Sequence, residues 1–158
     1  MSFKRQLCAS FLLVFFALLL TGTAGAAGLS KREASLLSVV NDVRTGHGLR
    51  PLVVDSRLVH AARGHSAELL RMGLLTHGSF GERLSRSGAH GPYFGENLAW
   101  GTGRHASATA IVRAWLASPG HRANLLRPGF KRIGIGALAG RFAGYGGAVV
   151  VTAVFAGH

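Results

Sequence analysis

Three polar side chains in separate stretches of the chain have types that could form one chemical site: His77, Glu96 and His121. Glu96 is one of six acidic residues and precedes apolar residues, so we expect its carboxylate to be partly buried. A buried charge needs a partner, which the two histidines would supply. Neutral imidazoles bind zinc or another divalent cation, and a neighbouring carboxylate can act as a general base on metal-bound water. The three residues are therefore predicted to form the candidate catalytic site, with His77 and His121 as the metal ligands.

The residues around His121 predict a short helix. Ser118 is a typical helix N-cap, and Pro119 suits the first helical position. His121 would then lie in the opening turn, where the positive end of the helix dipole disfavours a charged imidazole. We therefore expect a neutral His121 that can bind a metal ion or accept a proton. Asn97, Ser118 and Asn124 are the polar neighbours expected to support the site.

The amino-terminal residues are typical of an export signal. Lys4 and Arg5 precede an apolar run over residues 7–20, and residues 24–26 form an A-x-A cleavage pattern. We expect residues 1–26 to be a removed signal peptide and residues 27–158 to be one domain of a secreted protein, extracellular or periplasmic. An uncleaved anchor is the alternative. The only cysteine, Cys8, lies in the leader, so the mature domain would contain no disulfide.

The chain is strongly basic, with 18 Lys and Arg residues, six Asp and Glu residues and a formal net charge of +12. The arginines are scattered, and no basic stretch is interleaved with aromatic residues, which disfavours nucleic acid as a partner. This pattern favours an evenly solvated basic surface. Such a surface can also attract an anionic wall polymer or a membrane surface. We expect a monomer.

Apolar residues recur at helical spacing in three segments, which begin near residue 31, after Asp55 and at residue 106. Helices in the first part and an antiparallel pair of strands at the end predict an α+β fold. Glycines at 134 and 136 indicate that another backbone or a helix packs closely on their strand. His65 lies on the apolar side of the second helix and is predicted to be a core histidine with one hydrogen bond. Strands are predicted at residues 51–54, 98–100, 132–138 and 148–155.

A series of motifs runs through nearly the whole mature chain: residues 41–44, 61–66, 76–77, 95–99, Trp115, 118–124, and 129–130 with 133–136, followed by the terminal strand. Their order and spacing resemble the CAP superfamily of cysteine-rich secretory proteins, antigen 5 and plant pathogenesis-related proteins. The resemblance is to its short, cysteine-free bacterial branch. It implies a three-layer α-β-α sandwich with a small, mainly antiparallel central sheet.

The resemblance also implies a cleft with two histidines and two glutamates. His77, Glu96 and His121 match three of these residues. At the place of the second glutamate the chain has Ala117 and Ser118, so it departs from the family pattern there. Some members of the family bind zinc or another divalent ion through the two histidines, and others bind sterols or fatty acids.

Three functions remain open at this stage. The first is a secreted module whose cleft binds a metal ion and an unknown ligand, which could be a small molecule, a lipid or a peptide. The second is a metal-dependent hydrolase or protease that uses the same site. The third is a basic adhesion protein with a vestigial site. Catalytic zinc sites usually have three protein ligands, and if Glu96 is the third ligand no base remains, so binding is favoured over catalysis.

Overall fold

The computed structural model describes residues 28–157, so the predicted signal peptide and its cleavage point lie outside the described residues. This part of the chain contains five α-helices and a four-stranded sheet. The helices are α1 (Lys31–Gly46), α2 (Ser56–Met72), α3 (Phe80–Ser87), α4 (Ala108–Ala117) and α5 (Pro119–Leu125). The strands are β1 (Val53–Val54), β2 (Phe94–Gly101), β3 (Phe130–Phe142) and β4 (Tyr145–Gly157), and a short 3₁₀ helix spans Gly103–Ala106.

The helix ends follow the local sequence signals. Before α1, the Ser30 side chain accepts from the backbone N–H of Glu33, whose carboxylate accepts from the backbone N–H of Ser30, which is a complete capping box. The Asp55 side chain caps α2, and Gly73 ends this helix in the left-handed conformation, with φ of 68°. Both helix starts and the end of α2 were predicted from the sequence.

The sheet has the strand order β1-β3-β4-β2. Only the short β1 is parallel to its neighbour, β3, and the other two pairs are antiparallel. The long β3 and β4 form a hairpin that turns at Ala143 and Gly144, both of which have positive φ. The small, mainly antiparallel sheet and the α+β class are therefore confirmed.

Both faces of the sheet are covered by helices, as expected for a three-layer sandwich. Alternate β4 residues from Val149 to Phe155 pack into a core with residues of α1, α4 and α5. The intervening β4 residues pack against α2 and α3 on the opposite face. Both faces of β4 are thus buried, which explains its nearly continuous apolar sequence.

The glycines of β3 allow α2 to lie directly on the sheet. A Cβ atom added at Gly134 would collide with the backbone of Leu58, and one added at Gly136 would collide with the backbone of Ala62. This confirms the close packing that the glycines predicted. Within residues 28–157, none of the helices has the length and apolar character needed to cross a membrane.

Three strands are longer than the sequence indicated. β2 begins at Phe94, four residues before the predicted strand, because Glu96 and Asn97 pair with β4 although their side chains are polar. β3 and β4 extend through the predicted glycine-rich connection, so that the turn between them is reduced to Ala143 and Gly144.

Candidate functional site

The site is built on the edge strand β2, which contributes Glu96. Its side chain is 2% exposed, although the residue lies on an outer strand. The neighbouring Gly95 is in close contact with α5, because a Cβ atom there would lie 2.7 Å from Oδ1 of Asn124 and 2.9 Å from the ring of Phe130. The glycine therefore lets α5 approach the strand next to the buried carboxylate.

His77 lies in the loop that follows α2. One residue earlier, the carbonyl oxygen of Thr76 is 2.8 Å from Nε2 of the buried His65. Because a carbonyl oxygen can only accept, Nε2 of His65 donates and anchors this loop on α2. His65 is thus a core histidine as predicted, with one partner more than expected, since its Nδ1 also lies 3.1 Å from Oε2 of Glu68.

The structure brings His77 and Glu96 into direct contact. Nδ1 of His77 lies 2.8 Å from Oε1 of Glu96. A carboxylate oxygen accepts, so the proton of this hydrogen bond belongs to Nδ1, and in the neutral ring Nε2 carries the lone pair. The imidazole itself is 59% exposed and therefore accessible to a ligand.

Arg83 on α3 occupies the other oxygen of Glu96. Its Nη2 lies 2.7 Å from Oε2 of Glu96, and its Nη1 donates to the carbonyl oxygen of His77 at 2.8 Å. The guanidinium also lies over the ring of Phe80, 5.6 Å from the ring centre, and the side chain is only 11% exposed. Sequence reasoning missed Arg83, because the scattered arginines of this chain resemble a solvated surface and this pairing depends on tertiary structure.

The third element of the site is α5, which contains His121. Pro119 occupies the first turn as predicted, but the Ser118 side chain makes no capping hydrogen bond, and only its carbonyl accepts, from the Arg122 N–H. Burial lowers the pKa of His121 from its ordinary value of 6.5, and the nearby His77 lowers that pKa further. This shift has the direction predicted for a neutral imidazole, with burial and a neighbouring imidazole as its causes.

Two asparagines join α5 to β2. Nδ2 of Asn97 donates to the carbonyl oxygen of His121 at 3.0 Å. Nδ2 of Asn124 donates to the carbonyl oxygen of Glu96 at 3.2 Å and to Oδ1 of Asn97 at 2.9 Å. These bonds hold the backbone of His121 against the strand that contains Glu96. Asn97 and Asn124 thus connect α5 to β2 beside Glu96, whereas the Ser118 side chain makes no capping hydrogen bond.

The other end of α5 is held by a buried arginine on α1. Arg44 donates to the carbonyl oxygens of Leu125, Arg127 and Phe130 at 2.7, 3.2 and 3.2 Å, and to that of Arg50 at 3.0 Å. Burial lowers the pKa of this guanidinium. The carbonyl oxygen of Leu125, at the end of α5, carries partial negative charge and helps to stabilise this cation, which forms no ion pair within residues 28–157. Arg44 thereby attaches α5 to α1 and β3.

The pairing of Glu96 limits the chemistry of the site. His77 and Arg83 each donate to one carboxylate oxygen of Glu96, which leaves at most one lone pair on each oxygen for a further contact. Within residues 28–157, no group of three or more His, Cys, Asp or Glu side chains is arranged to hold a metal ion. Among these side chains, the imidazole of His77 is exposed, whereas Glu96 and Arg83 are largely buried.

Residues 37–155 match the cysteine-rich secretory protein family, CAP, and the chain belongs to this family. It is 31% identical over 121 residues to the uncharacterized protein YkwD of Bacillus subtilis. This match covers 73% of this chain and 46% of YkwD. It is 29% identical over 108 residues to pathogenesis-related protein 1C of Nicotiana tabacum, with 68% and 57% of the two chains covered. The chain thus spans less than half the length of YkwD. These relatives confirm the resemblance to a bacterial CAP domain.

Solved structures agree with this assignment. An extracellular protein with an SCP domain from Bacillus anthracis is 28% identical, with a TM-score of 0.67 over 80% of this chain and 40% of that one. An outer surface protein of Borrelia burgdorferi has a TM-score of 0.65 at 24% identity, over 76% of this chain and 87% of that one. The latter similarity shows the fold alone.

Proposed function

We propose that this chain is an exported CAP-domain binding protein whose cleft binds a divalent metal ion and an unidentified ligand without turnover. The observation that carries the proposal is the hydrogen bond from Nδ1 of His77 to Glu96. Histidine ligands of metal ions commonly donate their second ring nitrogen to a carboxylate in this way, which orients the ring and raises the basicity of the other nitrogen.

We infer an open metal site with two protein ligands, because the imidazole of His121 lies near enough to His77 for His77 to lower its pKa. Nε2 of His77 and the imidazole of His121 would hold the ion, and water or a bound ligand would complete its coordination. The bound ion would supply Lewis acidity to that ligand. The depressed pKa of His121 favours the neutral imidazole that metal binding needs. Two protein ligands beside the cationic Arg83 imply weaker binding than at usual zinc sites with three or four.

The engagement of Glu96 supports binding over hydrolysis. A general base must be able to accept a proton from water, and both oxygens of this carboxylate already accept one hydrogen bond, one of them from a guanidinium, so only one lone pair on each oxygen remains for that water. The family position of a second glutamate is occupied by Ala117 and Ser118. A hydrolase is the second candidate, because histidine and glutamate side chains, the residue types of a metal-dependent hydrolase, lie together here.

Export is supported by the apolar leader over residues 7–20 and the A-x-A pattern at 24–26. It is also supported by a protein of known structure that is 28% identical and is described as extracellular. The third candidate, a basic adhesion protein with a vestigial site, is supported by the formal net charge of +12.

Zinc titration of the metal-free protein tests the proposal. Calorimetry should show one saturable site in the wild type, and affinity should fall by about tenfold or more in His77→Ala and in His121→Ala, because each removes one of two ligands. His105→Ala is the matched control, since His105 is exposed on the 3₁₀ helix. Equal affinity in all four proteins, or no zinc binding by the wild type, would contradict the metal site.

The alternatives give different results. A hydrolase would release product from a peptide or ester library, and this activity would disappear with a chelator and in Glu96→Gln. An adhesion protein with a vestigial site would bind acidic polymers in a salt-dependent way that His77→Ala leaves unchanged.

A further inference from the structure

Exposed large apolar side chains are concentrated at one end of the domain. Among the described residues, Val53, Met72, Leu74, Leu75 and Tyr145 are the large apolar side chains with high exposure. Leu74 is 60% exposed and Tyr145 is 58% exposed. Four of these five side chains lie either at or just after the end of α2 or beside the β3–β4 turn, whereas Val53 is in the short strand β1.

The end of α2 and the turn of the β3–β4 hairpin are close in space. Leu70, near the end of α2, lies so close to β3 that a Cβ atom added at Gly140 would be 3.1 Å from its methyl carbon. At the end of β2, the ring of Trp100 lies 5.6 Å from that of Tyr145 and 5.2 Å from that of Phe142. We call this region, residues 70–75, 100–105 and 139–146, the hairpin end.

The charge of the hairpin end is entirely basic. It contains Arg71, Arg104 and Arg141, all exposed, and neither Asp nor Glu. The 3₁₀ helix that contains Arg104 packs on the last residue of β2, since the carbonyl of His105 would collide with a Cβ atom at Gly101. The hairpin end therefore combines exposed leucines, an aromatic pair and exposed arginines.

We propose that the hairpin end docks this protein on an anionic lipid bilayer. Tryptophan and tyrosine rings, apolar in body and polar at one atom, are suited to the level of the lipid headgroups. Leucine and methionine side chains gain free energy when they enter the acyl boundary, and each arginine near the surface is attracted by the anionic headgroups. The arginines and the absence of acids make this end complementary in charge to a phospholipid surface. The proposal uses other residues than the imidazole site, although Leu74 and Leu75 lie in the same loop as His77.

Vesicle flotation tests the docking surface. The chain of residues 27–158 contains all the described contacts, and it avoids the apolar leader, which would itself bind lipid. It should float with vesicles that contain phosphatidylglycerol and remain free with vesicles of phosphatidylcholine alone. The double variant Leu74→Ser/Leu75→Ser should lose roughly tenfold in binding through the lost apolar transfer. The double variant Arg71→Gln/Arg141→Gln should lose about fivefold for each arginine.

Matched controls come from outside the hairpin end. Val53→Ser removes an exposed apolar side chain from β1, and Arg50→Gln/Arg57→Gln removes two exposed arginines remote from the hairpin turn. Both controls should bind vesicles within about twofold of the wild type. If they lose as much as the hairpin-end variants, binding is a property of the whole charged surface and the proposal is wrong.

Two further results would also overturn the proposal. Unchanged vesicle binding by Leu74→Ser/Leu75→Ser would show that charge alone is recognised, as for a soluble polyanion. Absence of binding to phosphatidylglycerol vesicles would exclude the bilayer itself.

Tryptophan fluorescence gives an independent measurement. Brominated phosphatidylglycerol should quench the protein's tryptophan fluorescence, and Trp100→Phe should abolish most of that quenching. Zinc affinity should be unchanged in Arg71→Gln/Arg141→Gln, so that failure of docking and failure of the metal site are distinguishable.

Discussion

Nη2 of Arg83 lies 2.7 Å from Oε2 of Glu96, the carboxylate oxygen that His77 does not contact. The carboxylate is almost completely buried, and the guanidinium is largely so. One anion therefore holds two elements in place, the loop after α2 through His77 and the helix α3 through Arg83. The same arrangement neutralises a charge that would otherwise be costly to bury on an edge strand.

Arg83→Gln should destabilise the domain by about 3 kcal/mol, because removing one partner of a buried ion pair leaves the other charge poorly compensated. His77 would still contact Glu96, so the loss should fall at the lower end of the range for buried pairs. Urea unfolding followed by circular dichroism measures this change.

The matched control for this substitution is Arg86→Gln on the same helix. Arg86 pairs with Glu82 four residues earlier, but both side chains are mostly exposed, at 73% and 67%. An exposed pair of this kind contributes only about 0.5 kcal/mol. Equal losses in Arg83→Gln and Arg86→Gln would show that the pair with Glu96 is no more important than a surface ion pair.

The pH dependence of stability should include a contribution from His121. Its pKa in the folded chain is below the ordinary value of 6.5, through burial first and the neighbouring His77 second. Above pH 6.5 the imidazole is neutral in both states and contributes nothing. As the pH falls below 6.5, the unfolded chain binds a proton that the folded chain does not, so the free energy of unfolding decreases. The decrease is complete once the pH is below the folded pKa.

Urea unfolding of the metal-free protein at about pH 7.5 and about pH 5.5 measures this contribution. His121→Gln should show a smaller decrease between the two conditions than the wild type, whereas His105→Gln should behave as the wild type does. Titration of Glu33 does not interfere with this comparison of the free energy of unfolding at the two pH values. Burial raises its pKa, but hydrogen bonds from Arg63 and Ser30 outweigh burial and lower it below 4.5. A pH profile that is identical in His121→Gln and the wild type would show that burial of His121 does not oppose its protonation.

Asn124→Ala should both destabilise the domain and weaken zinc binding. It leaves the carbonyl oxygen of Glu96 and Oδ1 of Asn97 without the donor they share, at a cost of about 1–3 kcal/mol. It also loosens α5, so the affinity for zinc should fall by about tenfold or more, as is typical when a residue that orients metal ligands is lost. Calorimetry and urea unfolding of the same preparation measure the two effects.

Asn41→Ala is the control that separates stability from site geometry. Asn41 also makes two hydrogen bonds to backbone, at 3.1 and 2.8 Å, but both are with Leu52, in the segment before β1. Its loss should destabilise the domain by a similar amount while the affinity for zinc is unchanged. A comparable drop in zinc affinity in Asn41→Ala would mean that Asn124 acts on the site only through global stability.

Much of the fold could be predicted because its signals are local. The capping box before α1, Asp55 and Gly73 around α2, and the glycines of β3 each act within a few residues or through a direct steric requirement. β2 was predicted too short because Glu96 and Asn97 are polar. Their burial depends on donors from α3 and α5, and such partners cannot be found from periodicity in one strand.

The candidate site was only partly predictable for the same reason. The histidine–glutamate contact followed from residue types and from the family resemblance. Arg83 left no local signal, since it pairs with a carboxylate 13 residues later on a different element. The role of Asn124 depends on Gly95, whose missing side chain makes room for it. Pairings that require tertiary approach were therefore the ones that the sequence did not reveal.

Gly134 and Gly64 should respond in opposite ways to substitution by alanine. Gly134 lies directly beneath α2, whereas Gly64 faces open space. Gly134→Ala would place a methyl group in collision with the backbone of Leu58, which cannot move without displacing the helix. We expect a loss of about 3 kcal/mol or more, at the upper end for overpacked cores. Gly64 lies in α2 with no atom within 4 Å of an added Cβ, so Gly64→Ala should stabilise the domain by about 0.5–1 kcal/mol. Thermal unfolding of both variants measures the difference, and a stable Gly134→Ala would mean that α2 does not rest directly on this strand.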